Sequence, residues 1–332
     1  MNIQYNIQLK PYNSFHTKAK AKLFCEPKTV EELCEIVKHH TNEKKLVLGG
    51  GYNLFFTKDF DGLVIYQQLK GIKIHYEDDN VVEIEANASE NWDDFVAYCV
   101  TNNYAGVENL SLIPSSVGAA PIQNIGAYGT EVDEVITLVR TVHIETGEQK
   151  EFTNEMCKFG YRDSIFKRTG EYIITSVVFR LQKTFTYKQK YIDVVNELAG
   201  IENPTMMDVR NAVVKIRTHK LPDYEILPNA GSFFKNPFLT YEEKENLLHM
   251  LPDATIHIVD EGCFKTSAAF LIDKAGYANK RKGMVGTYKH HSLIIVNYGT
   301  EKGAEILDFV EDIQQSVHSK FKIWLEPEVR IY

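Results

Sequence analysis

A chain of 332 residues, 44% hydrophobic and 25% charged, can form two or three domains with real cores and has the composition of an ordinary soluble globular protein. The formal net charge of −8, with no basic tract, gives no electrostatic footprint for nucleic acid. Cys25, Cys34, Cys99, Cys157 and Cys263 are scattered, odd in number and never paired as C-x-x-C, which argues for reduced thiols and against a disulfide frame, a zinc site or any other metal centre. The N-terminal stretch has no apolar h-region and no later run approaches a membrane span, so a cytoplasmic protein without a membrane partner is expected.

In chain order, Thr29 with Glu32 three residues on predicts a capping box, opening a helix that buries Val30, Leu33, Cys34 and Val37. Lys44 to Leu48 reads as a short strand running into Gly49, Gly50, Gly51, Tyr52 and Asn53, where glycines after a strand suggest an anion-binding nest or a tight turn. Leu54 falls where the last glycine of G-x-G-x-x-G would stand, and no Gly-Lys-Ser/Thr follows, so neither a dinucleotide fingerprint nor a P-loop is present. Leu63 to Tyr66 is a second strand, Gly71 a break, and Val81 to Ala86 an alternating half-buried strand. A helix with Trp92, Phe95, Val96, Cys99 and Val100 on its core side follows.

Ser111 to Gly129, SLIPSSVGAAPIQNIGAYG, carries no charge and no apolar period. It reads as a buried, folded-back loop, in which Gly118, Gly126 and Gly129 can take positive φ or let main chain approach a ligand. Gln123 and Asn124 add amide donors and acceptors, suiting a flat ligand with phosphates; a turn-rich core connector fits equally. Ile136 to Glu145 and Glu148 to Phe152 predict a hairpin, and Tyr172 to Leu181 a further strand. Strands thus succeed one another rather than alternating with helices, and the fold class is α+β. In FGYRDSIF, Arg162 is either held by Asp163 or turned into a cavity toward a carboxylate or phosphate.

Lys183 to Tyr191 is basic and tyrosine-bearing, as a flap would be. Thr205 caps a helix that ends at Arg217, Thr218, His219 and Lys220, cations that suit either the helix dipole or a phosphate. In NAGSFFKNP, Ser232 lies between Gly231 and two aromatics, predicting a hydroxyl in a water-poor setting; the commoner fate of such a serine is to satisfy a turn. No G-x-S-x-G elbow is present, so a serine hydrolase is not expected. Helices are predicted from Thr240, over Thr266 to Ala275 and over Glu301 to Lys320, with a buried strand at Ser292 to Asn297. The end, Lys322 to Tyr332, reads as a strand with Trp324, Glu326, Glu328 and Arg330 on one side, and Glu328 is either paired with Arg330 or functional.

PIQNIGAYG, FGYRDSIF, NAGSFFKNP and WLEPEVR, in this order and at these separations, resemble the UDP-N-acetylenolpyruvoylglucosamine reductase family, flavoenzymes that complete UDP-N-acetylmuramate for peptidoglycan. The Lys183 to Tyr191 segment resembles the type I branch. The resemblance spans nearly the whole chain and implies a two-subdomain FAD-binding region of the vanillyl-alcohol-oxidase type followed by an α+β substrate-binding domain. Its parts would be 1–68 (completed by 321–332), 69–203 and 204–320. It implies FAD against Gly49, Gly50, Gly51, Tyr52 and Asn53, against Ile113, Pro114, Ser115, Ser116 and Gly118, and against Gln123, Asn124, Ile125, Gly126 and Ala127. Catalytic roles fall to Arg162, Ser232 and Glu328. Substrate contacts fall to Tyr128, Tyr161, Tyr191, Lys220, Asn236 and His290, with His291 the neighbouring choice. NADPH and UDP-N-acetylglucosamine enolpyruvate are the implied partners, and a monomer is expected. The chain departs from the family at Tyr52, where serine is usual, and at Ser115, where glycine is usual. The rival readings are another FAD-dependent oxidase or dehydrogenase of the same fold, and a non-catalytic sugar-nucleotide-binding protein.

Overall fold

The computed structural model describes residues 2–187 and 191–332. Residues 188–190, part of the expected tyrosine-bearing flap, lie outside the described residues. Contacts divide the chain into two compact units: Met1–Ile7, Ala21–Gly50 and Asp61–His219 form the first, and Gln8–Lys20, Gly51–Phe60 and Lys220–Tyr332 the second. Among the described residues, no helix is long and apolar enough to cross a membrane.

The first unit holds two sheets. One has the order Ile3–Gln8, Lys20–Cys25, Phe60–Ile65, Lys45–Val47, with the last pair parallel. The helix Val30–His39 covers it, burying Leu33, Cys34, Ile36 and Val37. Its capping box is only half realised. Thr29 Oγ1 accepts from the Glu32 amide, but the Glu32 carboxylate accepts from the Lys28 amide, one residue before the cap.

The second sheet is antiparallel throughout, ordered Gln149–Thr153, Ile136–His143, Tyr172–Gln182, Val81–Asn87, Ile72–Glu77. Val82, Ile84 and Ala86 point into the core while Glu83 and Glu85 stay half-exposed, the alternation a one-sided sheet requires. The helix Trp92–Thr101 lays Trp92, Phe95, Val96, Cys99 and Val100 on that core, and the Trp92 indole donates to Leu110 O at 2.9 Å. Burial pushes the Cys25 and Cys157 thiols up to about 12, so they are packing groups rather than nucleophiles.

The helix Met206–Lys220 buries Val209, Ala212, Val213 and Ile216 against Val194 and Leu198, so residues up to His219 cluster with the first unit. The contact-defined boundary therefore falls at 219/220, past the whole apolar stripe of that helix, where the expected division opened the last domain at 204.

The second unit is built on Asn229–Ser232, His291–Asn297, Val285–Tyr288 and Arg281–Lys282, in that order. The helix Gly303–Phe321 packs Ile306, Phe309, Val310, Ile313 and Val317 on its core. Thr240 and Glu243 form the full capping box expected for Tyr241–Met250. The helix expected over Thr266 to Ala275 starts one residue later at the cap, with Ser267 as N-cap, and ends in a wider turn over Asp273–Tyr277.

The C-terminal strand is much shorter than expected. Arg330–Ile331 pairs, in parallel, with Leu54–Phe55, and before it, among the described residues, the segment makes an isolated antiparallel bridge from Pro327 to Phe234. Ile323, Leu325 and Val329 are nevertheless buried, while Ile331 is exposed.

Candidate functional site

In the first unit the charge-free loop is folded back and pinned. The Asp93 carboxylate takes Arg210 in a fork at 2.7 and 2.9 Å and accepts the Leu112 amide at 2.5 Å. Burial opposes its ionisation, but Arg210 and the Leu112 amide outweigh this and hold the carboxyl below its usual range. Arg217, two helical turns beyond Arg210, donates to Leu112 O at 3.2 Å. Burial pulls its guanidinium down from the ordinary range, with Tyr128 and Asp93 opposing. Leu112 is thereby fixed at φ 58°. These anchors were not assigned from the sequence; two arginines seven positions apart on one helix, facing an acid near another helix start, were the available signal.

The loop then passes Ser115 and Ser116. Ser115 is absent from the positive-φ residues, so this backbone does not require the glycine usual there in the family. A Cβ added to Gly49 would sit 3.1 Å from Ser116 Oγ, so this loop and the start of the glycine turn meet within the unit. Among the described residues, the amides of Gly49, Gly50, Ser115 and Ser116 donate to no protein group. Unpaired amides on two segments that meet suit an anion, and this fits a cofactor pyrophosphate.

PIQNIGAYG and FGYRDSIF also come together. Arg162, at φ 52°, donates to Gly126 O at 2.7 Å and to Asn124 O at 3.3 Å, lies 3.8 Å from Glu131, and stands 5.4 Å from the Tyr161 ring. Asp163 pairs with Arg168 instead, which corrects the structural Arg162–Asp163 pair. Asn124 is fully buried. Its amide nitrogen reaches Glu131 at 3.2 Å and Gly160 O at 3.3 Å, while its oxygen accepts the Asp133 amide at 3.1 Å. That side chain fastens the two motifs to each other. Asn124→Ala is expected to destabilise the fold by about 2–4 kcal/mol, because it strands those partners. A shift of the urea midpoint with unchanged slope would measure it.

Tyr128 and Tyr191, both expected at the substrate, meet edge to face at 5.2 Å between centroids, and Tyr191 is 44% exposed.

In the second unit, NAGSFFKNP and WLEPEVR run side by side. The Glu328 amide donates to Phe233 O at 2.8 Å, the Lys235 amide to Glu326 O at 2.9 Å, and Phe234 bridges Pro327. Asn53, from the glycine turn, donates its side-chain amide to Glu328 O at 3.4 Å and accepts the Arg330 amide at 3.0 Å. Ser232, Glu328 and Asn53 are thus brought to one place in this unit, whereas Arg162 belongs to the other. Ser232 is exposed, not set among apolar groups as expected, because Phe233 and Phe234 turn into the core instead of flanking it. Gly51 holds φ 71°, and a Cβ there would lie 2.0 Å from Tyr12 O. Neighbouring protein backbone, rather than a ligand, excludes a side chain at this position.

Asn236 Oδ1 accepts the Ala268 amide at 3.0 Å, which orients its side chain. His290 meets the Tyr288 ring edge to face, with centroids 5.4 Å apart. His291 has its Nδ1 buried with no partner. Burial lowers its pKa, Asp273 opposes this and Lys220 adds to it. Below about pH 6.5 the unfolded chain takes up a proton that the folded chain resists, so stability falls with falling pH. A thermal midpoint that drops between about pH 7.5 and about pH 5.5, less steeply in His291→Gln, is the expected result.

Residues 21–153 match a family described as an FAD binding domain. With the unpaired amides of that region, this defines an FAD-binding oxidoreductase. Residues 222–332 match the family described as UDP-N-acetylenolpyruvoylglucosamine reductase, C-terminal domain. The chain is 46% identical to the UDP-N-acetylenolpyruvoylglucosamine reductase of Flavobacterium johnsoniae over 100% of both chains, and 42% identical to that of Amoebophilus asiaticus over 100% of this chain and 99% of the other. The fold matches the crystal structure of UDP-N-acetylenolpyruvylglucosamine reductase from Thermus caldophilus with a TM-score of 0.70 at 22% identity, covering 100% of this chain and 99% of that one. The chain belongs to the UDP-N-acetylenolpyruvoylglucosamine reductase family.

Proposed function

We propose that this chain reduces the enolpyruvyl group of UDP-N-acetylglucosamine enolpyruvate to the lactyl ether of UDP-N-acetylmuramate, with NADPH as reductant. It would act as a cytoplasmic monomer supplying peptidoglycan synthesis, and through it cell shape and division. The full-length identity to relatives of that name carries this reading. FAD, when bound, supplies the hydride relay between NADPH and the alkene.

The chain's own groups must then meet the charge that builds on the α-carbon and its carboxylate. Arg162 suits the carboxylate, since a guanidinium fork held at one edge by Gly126 O and Asn124 O is pre-oriented. Ser232 delivers the proton to the α-carbon. An alcohol is a weak acid, but the developing carbanion is strongly basic and the mismatch is tolerable. Glu328 can act as a donor only in its protonated form, so its role requires retention of that proton in the substrate complex. Tyr128, Tyr191, Lys220, Asn236 and one of His290 and His291 would bind the sugar nucleotide.

The test is steady-state turnover. NADPH consumption should require UDP-N-acetylglucosamine enolpyruvate and yield a product heavier by one hydrogen molecule. Consumption that ignores this substrate and follows oxygen would make the chain an oxidase instead.

A further inference from the structure

A cavity of about 610 Å³ opens in the second unit between the helix Gly303–Phe321, the strand Arg281–Lys282 and Trp324, and no residue on its wall has a part in the proposed reaction. Asp308, Glu311 and Asp312 stand three and four positions apart along the helix, so their side chains share one face. Lys282 sets its ammonium on the Asp312 carboxylate, while Asp308 and Glu311 form no ion pair among the described residues. Trp324 is 47% exposed, and His318 meets its ring edge to face with centroids 5.3 Å apart. The wall is held in place: Tyr277 Oη donates to Asp312 O at 3.2 Å and Gln314 Nε2 to Leu325 O at 2.8 Å. Gln314 is only 8% exposed, yet its Oε1 accepts from no group among the described residues. A buried amide oxygen on a cavity wall has to take its donor from outside the chain.

We infer that this cavity binds a linear aliphatic polyamine. The carboxylates and the Gln314 oxygen accept hydrogen bonds and donate none, so the ligand must bring N–H groups and positive charge. Trp324 offers a ring face for a cation and an apolar surface for methylenes. Among the described residues, no three His, Cys, Asp or Glu groups are placed to hold a metal ion, so the acids are too spread for one divalent cation. Side chains three positions apart on a helix lie about 5–6 Å apart at Cβ, which suits two nitrogens joined by a short alkyl chain. Lys282 is the chain's own instance of this chemistry, an ammonium on an alkyl stem already seated on the third carboxylate. The volume is that of a small-molecule site rather than of a flat partner surface.

The experiment titrates spermidine by calorimetry into the full chain carrying its FAD, at low salt. One equivalent should bind saturably, and the thermal midpoint should rise with spermidine concentration. Asp308→Asn and Glu311→Gln should each weaken binding about two- to fivefold, and Trp324→Leu about three- to tenfold. Lys282→Gln should instead tighten it about two- to fivefold, because it removes the competing ammonium and frees Asp312. A merely structural role for these side chains would not produce that gain. Turnover without spermidine should be unchanged in Asp308→Asn and Glu311→Gln, and magnesium ion in place of spermidine should give no saturable heat. No saturable heat with spermidine, several weak equivalents spread over the acidic chain, equal binding of magnesium, or a Lys282→Gln variant that binds no tighter would overturn the inference. So would native spermidine affinity in both Asp308→Asn and Trp324→Leu, which would put the amine elsewhere on the chain.

Discussion

Ser232→Ala is expected to take electrons from NADPH as the native chain does and to pass them to substrate about 10² to 10⁴ times more slowly. The substitution removes one hydroxyl from an exposed strand position, while Phe233 and Phe234 keep the strand anchored in the core. The fold should therefore be intact, with its thermal midpoint near the native one. Only the step that needs a proton at the α-carbon loses its donor. Stopped-flow measurement of each half-reaction separates the two. Equal slowing of both halves would remove Ser232 from proton delivery and make it a binding residue.

Arg162→Met should lose about 10² to 10³ in the oxidative half-reaction, the usual consequence of removing one preorganised charge-stabilising group. Arg162→Lys should recover only part of this, because an ammonium keeps the charge but cannot span Gly126 O and the substrate carboxylate as a fork does. Stability should also fall, by about 1–3 kcal/mol, since Asn124 O and Gly126 O lose a donor beside a side chain that is only 21% exposed. Single-turnover rates beside thermal midpoints check both parts. A collapse of the midpoint with a normal rate per folded molecule would assign Arg162 to structure alone.

The elements legible in the sequence are those fixed by neighbours along the chain. The Thr240–Glu243 box, the apolar stripe from Trp92 to Val100 and the hairpin around Thr146 and Gly147 all depend on short-range spacing, and each forms as expected. What escaped the sequence depends on contacts between distant segments. Gly51 looked like a ligand-facing glycine, yet its constraint is Tyr12 O. Asn124 looked like a cofactor amide, yet its partners are Glu131, Asp133 and Gly160. The alternation from Ile323 to Ile331 suggested one long strand, but alternating burial does not require a continuous ladder, and the segment pairs at Pro327 and at Arg330–Ile331 with different partners. The candidate site residues were reached through whole motifs, since no single residue's spacing distinguishes a proton donor from a turn serine.

The most direct measurement of the central claim is anaerobic. Wild-type enzyme is reduced with a stoichiometric amount of NADPH until its yellow colour is lost, and UDP-N-acetylglucosamine enolpyruvate is then added. Full recovery of the flavin absorbance, with UDP-N-acetylmuramate formed in equal amount, is the predicted result. A flavin that stays bleached with this substrate and recovers only when oxygen is admitted would contradict it.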